Sequence, residues 1–232
     1  MKTLLAIKPS LIDVHANDGC SVLQFAAECG HVEAMKLLLA AKPSLIDYHK
    51  VDGWTVLHSA ADSGNTDVVK LLLANKASLI DARANDGTSA LIIAARSGHV
   101  DVMRLLLAAK GSLLDVRDND GCSPLHVAAR HRHVEAVKLL MTFKPSLTRV
   151  MTKDGLSSLD TACQKLTVTG VRCLDTVNRR AQIDVVRCLL GIDPAQPTDK
   201  ALGIARDSGQ EREDVRAVLE DFRSRRETRL TK

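Results

Sequence analysis

Three groups of residues in this chain have types that could do chemistry. The first is Cys163 and Cys188 with His131 or His133, a thiol nucleophile and an imidazole base if the fold joined them. Their spacing follows no nucleophile–base pattern. Cys163 also falls in a column otherwise held by alanine, where a thiol serves as a small apolar side chain. The second group is Arg130-His131-Arg132-His133, which offers two imidazoles to a metal. The guanidinium charges beside them repel a cation, and the chain has no Cys-x-x-Cys pair to complete a ligand set. No Gly-rich phosphate loop occurs either. The third group is Trp54, the chain's one tryptophan, with charges that recur at matching positions: Glu28, Asp62, Arg96 and Arg130. An aromatic ring among charges of both signs suits recognition of another molecule rather than its turnover. The expectation is a non-catalytic protein with no cofactor, no metal and no small-molecule substrate.

A period positions these residues. Asp-Gly pairs stand at 18–19, 52–53, 86–87, 120–121 and 154–155, one every 34 residues. Self-similarity at that spacing marks a stack of supersecondary units, each too small to bury its apolar side alone. Within a repeat, the Asp-Gly turn leads to Leu23, Leu57, Leu91 or Leu125, then to an alanine pair at 26–27, 60–61, 94–95 or 128–129. Gly30, Gly64 and Gly98 close that first helix, because glycine accepts the left-handed conformation of a sharp reversal. Arg132 stands there in the fourth repeat, so its turn is predicted to be strained or differently shaped. A second helix follows. Val68, Val69, Leu71, Leu72 and Leu73 mark its apolar side, and Lys36, Lys70, Arg104 and Lys138 form an outer, solvated stripe. Pro43 and Pro145 follow two of these helix ends, and Ser44, Ser78, Ser112 and Ser146 are read as caps of a short turn.

Residues 1–13 repeat the later part of a unit, since Lys8-Pro9-Ser10-Leu11-Ile12-Asp13 matches Lys42-Pro43-Ser44-Leu45-Ile46-Asp47. This partial repeat is expected to lack a first helix to lie on, as in a piece of a longer protein. Residues 14–149 hold four regular repeats. Residues 150–192 read as a degenerate repeat with an insertion of about 15 residues at 164–182. There the spacing of Val171, Leu174, Val177 and Ala181 predicts a third short helix, ahead of a late second helix at 183–190. A divergent, more charged repeat at 193–222 is expected to cap the stack, and the basic tail 223–232 to fray.

These residues resemble the ankyrin repeat. The nearest match to its pattern is Asn119-Asp120-Gly121-Cys122-Ser123-Pro124-Leu125-His126-Val127-Ala128-Ala129, and Gly30-His31 and Gly98-His99 also fit. The repeat is 34 residues rather than the commoner 33. The usual Thr-Pro pair becomes Ser21-Val22, Thr55-Val56, Ser89-Ala90 and Ser157-Ser158. The histidine that follows it survives only at 58 and 126, being Gln24, Ile92 and Asp160 elsewhere. The resemblance implies an all-α repeat solenoid of stacked helix-turn-helix units with short β-turn or hairpin loops, in a curved, elongated array. It implies that the histidine ties neighbouring turns by hydrogen bonds, so those ties should vary along this stack. It also implies function by surface, with protein partners held by turn tips and the exposed side of the first helix.

Packing sets the core columns, so the remaining columns are free to carry specificity. After each Asp-Gly stand Cys20, Trp54, Thr88, Cys122 and Leu156; two positions before the turn asparagine or its equivalent stand His15, His49, Arg83, Arg117 and Met151. The partner-binding candidates are Trp54, Asp62, Arg83, Arg96, Arg117, Arg130 and His131. Trp54 reads either as an anchor or as a ring lying flat on the neighbouring turn. The change from Glu28 and Asp62 to Arg96 and Arg130 reads either as a match to an acidic partner segment at repeats three and four, or as a solvated face. The leading expectation is a scaffold or adaptor. The alternatives are a substrate-targeting module of a larger enzyme or ubiquitin-ligase assembly, and a weak binder of nucleic acid or phosphoinositide. A net charge of +4 is mild for nucleic acid, and 2% aromatic content leaves few rings to stack on bases. No apolar run is long enough to span a membrane. Six cysteines without Cys-x-x-Cys spacing read as reduced thiols of an intracellular protein, cytoplasmic or nuclear.

Overall fold

The structure, a computed structural model, describes residues 12–163, 176–192 and 213–230, with isolated positions at 198, 201, 202 and 204. The chain is an all-α repeat array that divides into two compact halves, Met1–Asn119 and Asp120–Lys232. Of the partial repeat expected at 1–13, only Ile12 and Asp13 fall among the described residues.

In the first half, helices alternate in two rows. The first-helix row is α1 (Val22–Glu28), α3 (Val56–Ser63) and α5 (Ala90–Ser97), and the second-helix row is α2 (Val32–Ala41), α4 (Thr66–Asn75) and α6 (Val100–Ala109). Helices pack with their neighbours along each row and with their partner across it. Ala60, Ala61, Ala94 and Ala95 are wholly buried, because side chains larger than methyl would hold adjacent first helices apart. Leu57, Leu72, Leu91 and Leu106 fill the space between rows and are also wholly buried. Each such leucine contributes about 2 kcal/mol through removal from water. Leu71 and Leu105 are half-buried, and Lys36, Lys70 and Arg104 lie exposed on the far side.

Every second helix ends at a lysine in extended conformation, Lys42 (φ −146°), Lys76 (φ −148°) or Lys110 (φ −153°). A single turn of 3-10 helix follows at once: Pro43–Asp47, Ala77–Asp81 and Gly111–Asp115. This corrects the reading of the serines. The lysine occupies the capping position, so Ser44, Ser78 and Ser112 already lie inside the 3-10 turn, exposed and not acting as caps. The lysine ammonium instead reaches back one repeat to the aspartate that ends the previous 3-10 turn. The pairs are Lys42–Asp13, Lys76–Asp47 and Lys110–Asp81, the last at 2.6 Å.

The Asp-Gly turns join edge to edge. Val51 N–H donates to Asp18 O (2.9 Å), Asn85 N–H to Asp52 O (2.9 Å) and Asn119 N–H to Asp86 O (2.8 Å). Isolated antiparallel bridges, His15 with Ser21 and His49 with Thr55, give two of these loops hairpin character. Glycine is required here twice over. Gly53 sits at φ +84°, and a Cβ on it would lie 2.5 Å from Asn85 Oδ1 and 2.8 Å from Asn85 N.

The second half contains α7 (Pro124–Arg130), α8 (Val134–Phe143), a 3-10 turn at Pro145–Arg149, α9 (Ser158–Cys163), α10 (Thr176–Ile192) and α11 (Glu213–Leu230). α9 packs on α7, α10 packs on α8 and α9, and α11 packs on α10. α10 therefore holds the second-helix place expected at 183–190, but it extends back without a break to Thr176. Residues 164–175, which carry most of the expected insertion, lie outside the described residues, and the part from 176 onward belongs to α10 rather than to a separate helix. The tail expected to fray from residue 223 continues α11 to Leu230. Pairs one turn apart support it, Arg216 with Glu220 (2.8 Å) and Arg225 with Asp221 (3.0 Å).

Arg132 is the one non-glycine residue at positive φ among the described residues, at 64°. The turn keeps the shape that Gly30, Gly64 and Gly98 adopt at φ 71°, 75° and 76°. The strained alternative expected from sequence is thus the one realised, with a side chain held where Cβ crowds the backbone.

Candidate partner-binding surface

Each first helix begins with a serine or threonine, and in all but α5, where Ile92 has no polar side chain, the side chain three positions on locks its turn. His58 Nδ1 accepts from Thr55 N–H (3.1 Å) and from the Thr55 hydroxyl (2.9 Å), and its Nε2–H donates to Thr88 O one repeat ahead (3.2 Å). His126 repeats this with Ser123 (Nδ1 to Oγ, 2.7 Å) and Leu156 O (3.2 Å). Gln24 does the same without a ring: Oε1 accepts from Ser21 N–H (3.0 Å) and Nε2 donates to Trp54 O (2.8 Å). Asp160 keeps only the local half, its Oδ2 accepting from Ser157 N–H and Oγ (both 2.8 Å). Its Oδ1 is buried with no hydrogen-bond partner among the described residues. The ties do vary along the array, but glutamine preserves what histidine does. Burial pushes the His58 pKa down to about 4, against the raising effect of its bond to Thr88 O, so the imidazole is neutral at pH 7.

Through Gln24 the turn that carries Trp54 is held in place. Trp54 N–H also donates to Asp52 Oδ1 (3.0 Å). The ring is half-buried. It has two cations beside it, Lys50 Nζ at 5.9 Å and Arg96 Cζ at 5.4 Å from the ring centre. Neither cation is loose. Lys50 Nζ lies 2.8 Å from Glu28 Oε1 and 3.9 Å from Asp18 Oδ2. Glu28 Oε1 also accepts from Ser59 Oγ (3.1 Å). Burial disfavours the Lys50 charge, but the Glu28 hydrogen bond together with the charges of Glu28, Cys20 and Asp18 more than offsets it and holds the ammonium above its ordinary pKa.

Asp62 and Arg96, read in sequence as the neighbours between which the column changes sign, meet at 3.4 Å. Asp62 Oδ1 also accepts from Ser97 Oγ (2.7 Å), and Asp62 O from His99 Nε2–H (2.8 Å). Four of these residues, Trp54, Asp62, Arg96 and Lys50, thus form one patch with Glu28 across three consecutive repeats. Lys50 was not a sequence candidate: its equivalents are Ala16, Ala84, Asp118 and Thr152, so no column marked it. Arg83 and Arg117 are exposed.

Arg130 and His131 belong to the second half. Arg130 Nη2 lies 3.7 Å from Cys122 Sγ, and its Nε is buried with no hydrogen-bond partner among the described residues. The His131 ring stacks nearly parallel on that of His133, with centres 6.4 Å apart and planes at 6°. Cys163, the imagined nucleophile, is wholly buried in α9, and Cys188 is half-buried in α10. No group of three or more metal-ligating side chains occurs among the described residues.

Helix pairs in register, hydrogen-bonded turn to turn, define a tandem helical-repeat protein whose variable residues sit on first helices and turn tips. A family model described as ankyrin repeats in three copies matches residues 1–83, 78–154 and 110–200. The chain belongs to the ankyrin repeat family, whose repeats are generally protein–protein interaction modules. No curated protein matches it. Among the described residues, no helix is long and apolar enough to cross a membrane.

Proposed function

We propose that this chain is a non-catalytic scaffold or adaptor that binds a protein partner through first helices and turn tips, with Trp54, Asp62 and Arg96 at the centre of contact. The observation that carries this reading is the Trp54 ring beside Lys50 and Arg96, each tethered to a carboxylate of a neighbouring repeat. Large, rigid aromatic surface ringed by fixed charges loses little freedom on binding, which is what makes an effective anchor. Arg83 and Arg117, exposed on turns of repeats three and four, favour an acidic segment in the partner. Arg130 and His131 are proposed as contacts within their own half. The thiols of Cys122 and Cys163, packed as core side chains, favour a reducing compartment, cytoplasm or nucleus.

Affinity capture from cell extract tests this with three baits: the native chain, Trp54→Ala with Arg96→Ser, and Lys70→Ser on the outer stripe. The expected result is a set of proteins kept by the native and Lys70 baits and lost by the Trp54 bait. Identical capture by all three would reject the surface.

A further inference from the structure

The turn that carries Trp54 gives up a bond that the next two turns keep. The residue before the aspartate of each Asp-Gly pair is Asn17, Val51, Asn85, Asn119 or Lys153. Asn85 Nδ2 donates to Val51 O (3.0 Å) and Asn119 Nδ2 to Asn85 O (3.0 Å), so each of these amides ties its turn to the one before. Val51 has the same backbone place, its N–H donating to Asp18 O (2.9 Å) as Asn85 N–H donates to Asp52 O (2.9 Å). Its side chain has no donor to offer Asn17 O and stands in water instead, 77% exposed.

A single exposed valine is common and by itself implies nothing. Three further observations bear on this one. Val51 is more exposed than Val14, Phe25, Phe143 or Met151, the other large apolar side chains in water among the described residues. Its backbone is fixed on both sides, by the bond to Asp18 O and by the Asn85 amide on Val51 O, and a β-branched side chain has little rotamer freedom of its own. Along the row of turns it is flanked by exposed carboxylates, Asp18 and Asp52 next to it and Asp86 one turn further. The cation of its own turn, Lys50, is taken by Glu28 at 2.8 Å.

We infer that Val51 is a second anchor for the protein partner, and that it receives an apolar side chain with a lysine or arginine beside it, in an extended peptide segment of that partner. The inference rests on the reading of turn tips as the contact side and adds the chemistry of what they hold. Valine on a fixed backbone loses little freedom when it is covered, so its removal from water counts toward affinity. Asp18 and Asp52 select the basic neighbour and turn away an acidic one. Acidic residues of the same segment belong further along, at Arg83 and Arg117, which gives the segment one direction on the row of turns. The missing tie then has a reason: an amide at this position serves the fold, and the valine serves the contact.

The experiment uses the full chain and a displayed library of random short peptides, selected on the native chain after depletion on Val51→Asn. The variant restores the amide, so its Tm should rise by about 2 °C. Selection should enrich an apolar residue beside Lys or Arg, and synthetic peptides with that motif should bind Val51→Asn at least about tenfold more weakly than the native chain. With the apolar residue replaced by Ser, a peptide should bind the two chains alike. No enrichment, a motif without the apolar residue, or equal binding to the two chains would overturn the inference. So would a Tm lowered by the asparagine, since Val51 would then serve the fold. Trp54→Ala keeps the two readings apart. Peptides lost by Val51→Asn but held by Trp54→Ala would remove the role given to Trp54 and leave this inference standing; the reverse pattern would do the opposite.

Discussion

Gln24 and His58, one repeat apart, make the same pair of bonds: each locks its own helix start and donates to the backbone carbonyl of the next turn. The two side chains differ in one respect that matters, since only imidazole titrates. The unfolded His58 has a pKa near 6.5 and the folded one about 4. Its folded state is therefore fully favoured above pH 6.5, and that contribution is lost as pH falls toward 4, because the unfolded chain takes up the proton first. The loss is about 3 kcal/mol at most. His58→Gln should keep stability at pH 7 within about 1 kcal/mol and flatten the decline between pH 6.5 and 4. Urea unfolding at pH 7 and pH 5 measures both; an equally steep decline in the variant would show that another group carries it.

Arg132 holds a left-handed conformation that glycine holds in three other repeats. Its Nε is buried with no hydrogen-bond partner among the described residues, and burial lowers its pKa. Arg132→Gly should therefore raise stability by about 1 kcal/mol, with Arg132→Ala giving less because Cβ remains. A shift of the urea midpoint to lower concentration in the glycine variant would contradict the strain.

Much of this was legible in the sequence, for a physical reason. Glycine at a positive-φ turn, alanine between close helices and leucine between rows each answer a constraint that recurs every 34 residues, so the constraint prints itself as a period. What stayed hidden depends on reach rather than position. Asp62 and Arg96 look like separate members of one column until their side chains are seen to meet across one repeat. Lys50 shares its column with Ala16, Ala84, Asp118 and Thr152, none of which points to a lysine there. Gln24 looked like a lost histidine because residue type, not the geometry of its amide, was being compared.

The lysine–aspartate ladder is regular but should matter little to stability. Lys76 and Asp47 are 41% and 55% exposed, and such pairs contribute about 0–1 kcal/mol. Lys76→Ala should shift the free energy of unfolding by less than about 1 kcal/mol. Leu72→Ala, a few residues away and wholly buried, should cost about 3 kcal/mol. Equal effects would show that the ladder, not the apolar seam, holds the rows together.

Replacing Gly53 by alanine tests the turn edge. The new Cβ meets Asn85 backbone and side chain at a φ of +84°, so relief requires breaking the Asn85–Asp52 bond. A cost of about 2 kcal/mol is expected, with faster amide exchange at Asn85. Unchanged exchange there would place the strain elsewhere.

Trp54 is the chain's one tryptophan, so its fluorescence reports on the proposed contact alone. The direct measurement is acrylamide quenching of that emission, with and without saturating amounts of a protein captured by the native bait, itself prepared without tryptophan. A protein anchored on Trp54 should reduce the quenching constant at least twofold. Quenching unchanged at full binding would mean that partners are held elsewhere, and the surface around Trp54, Asp62 and Arg96 would lose its assigned role.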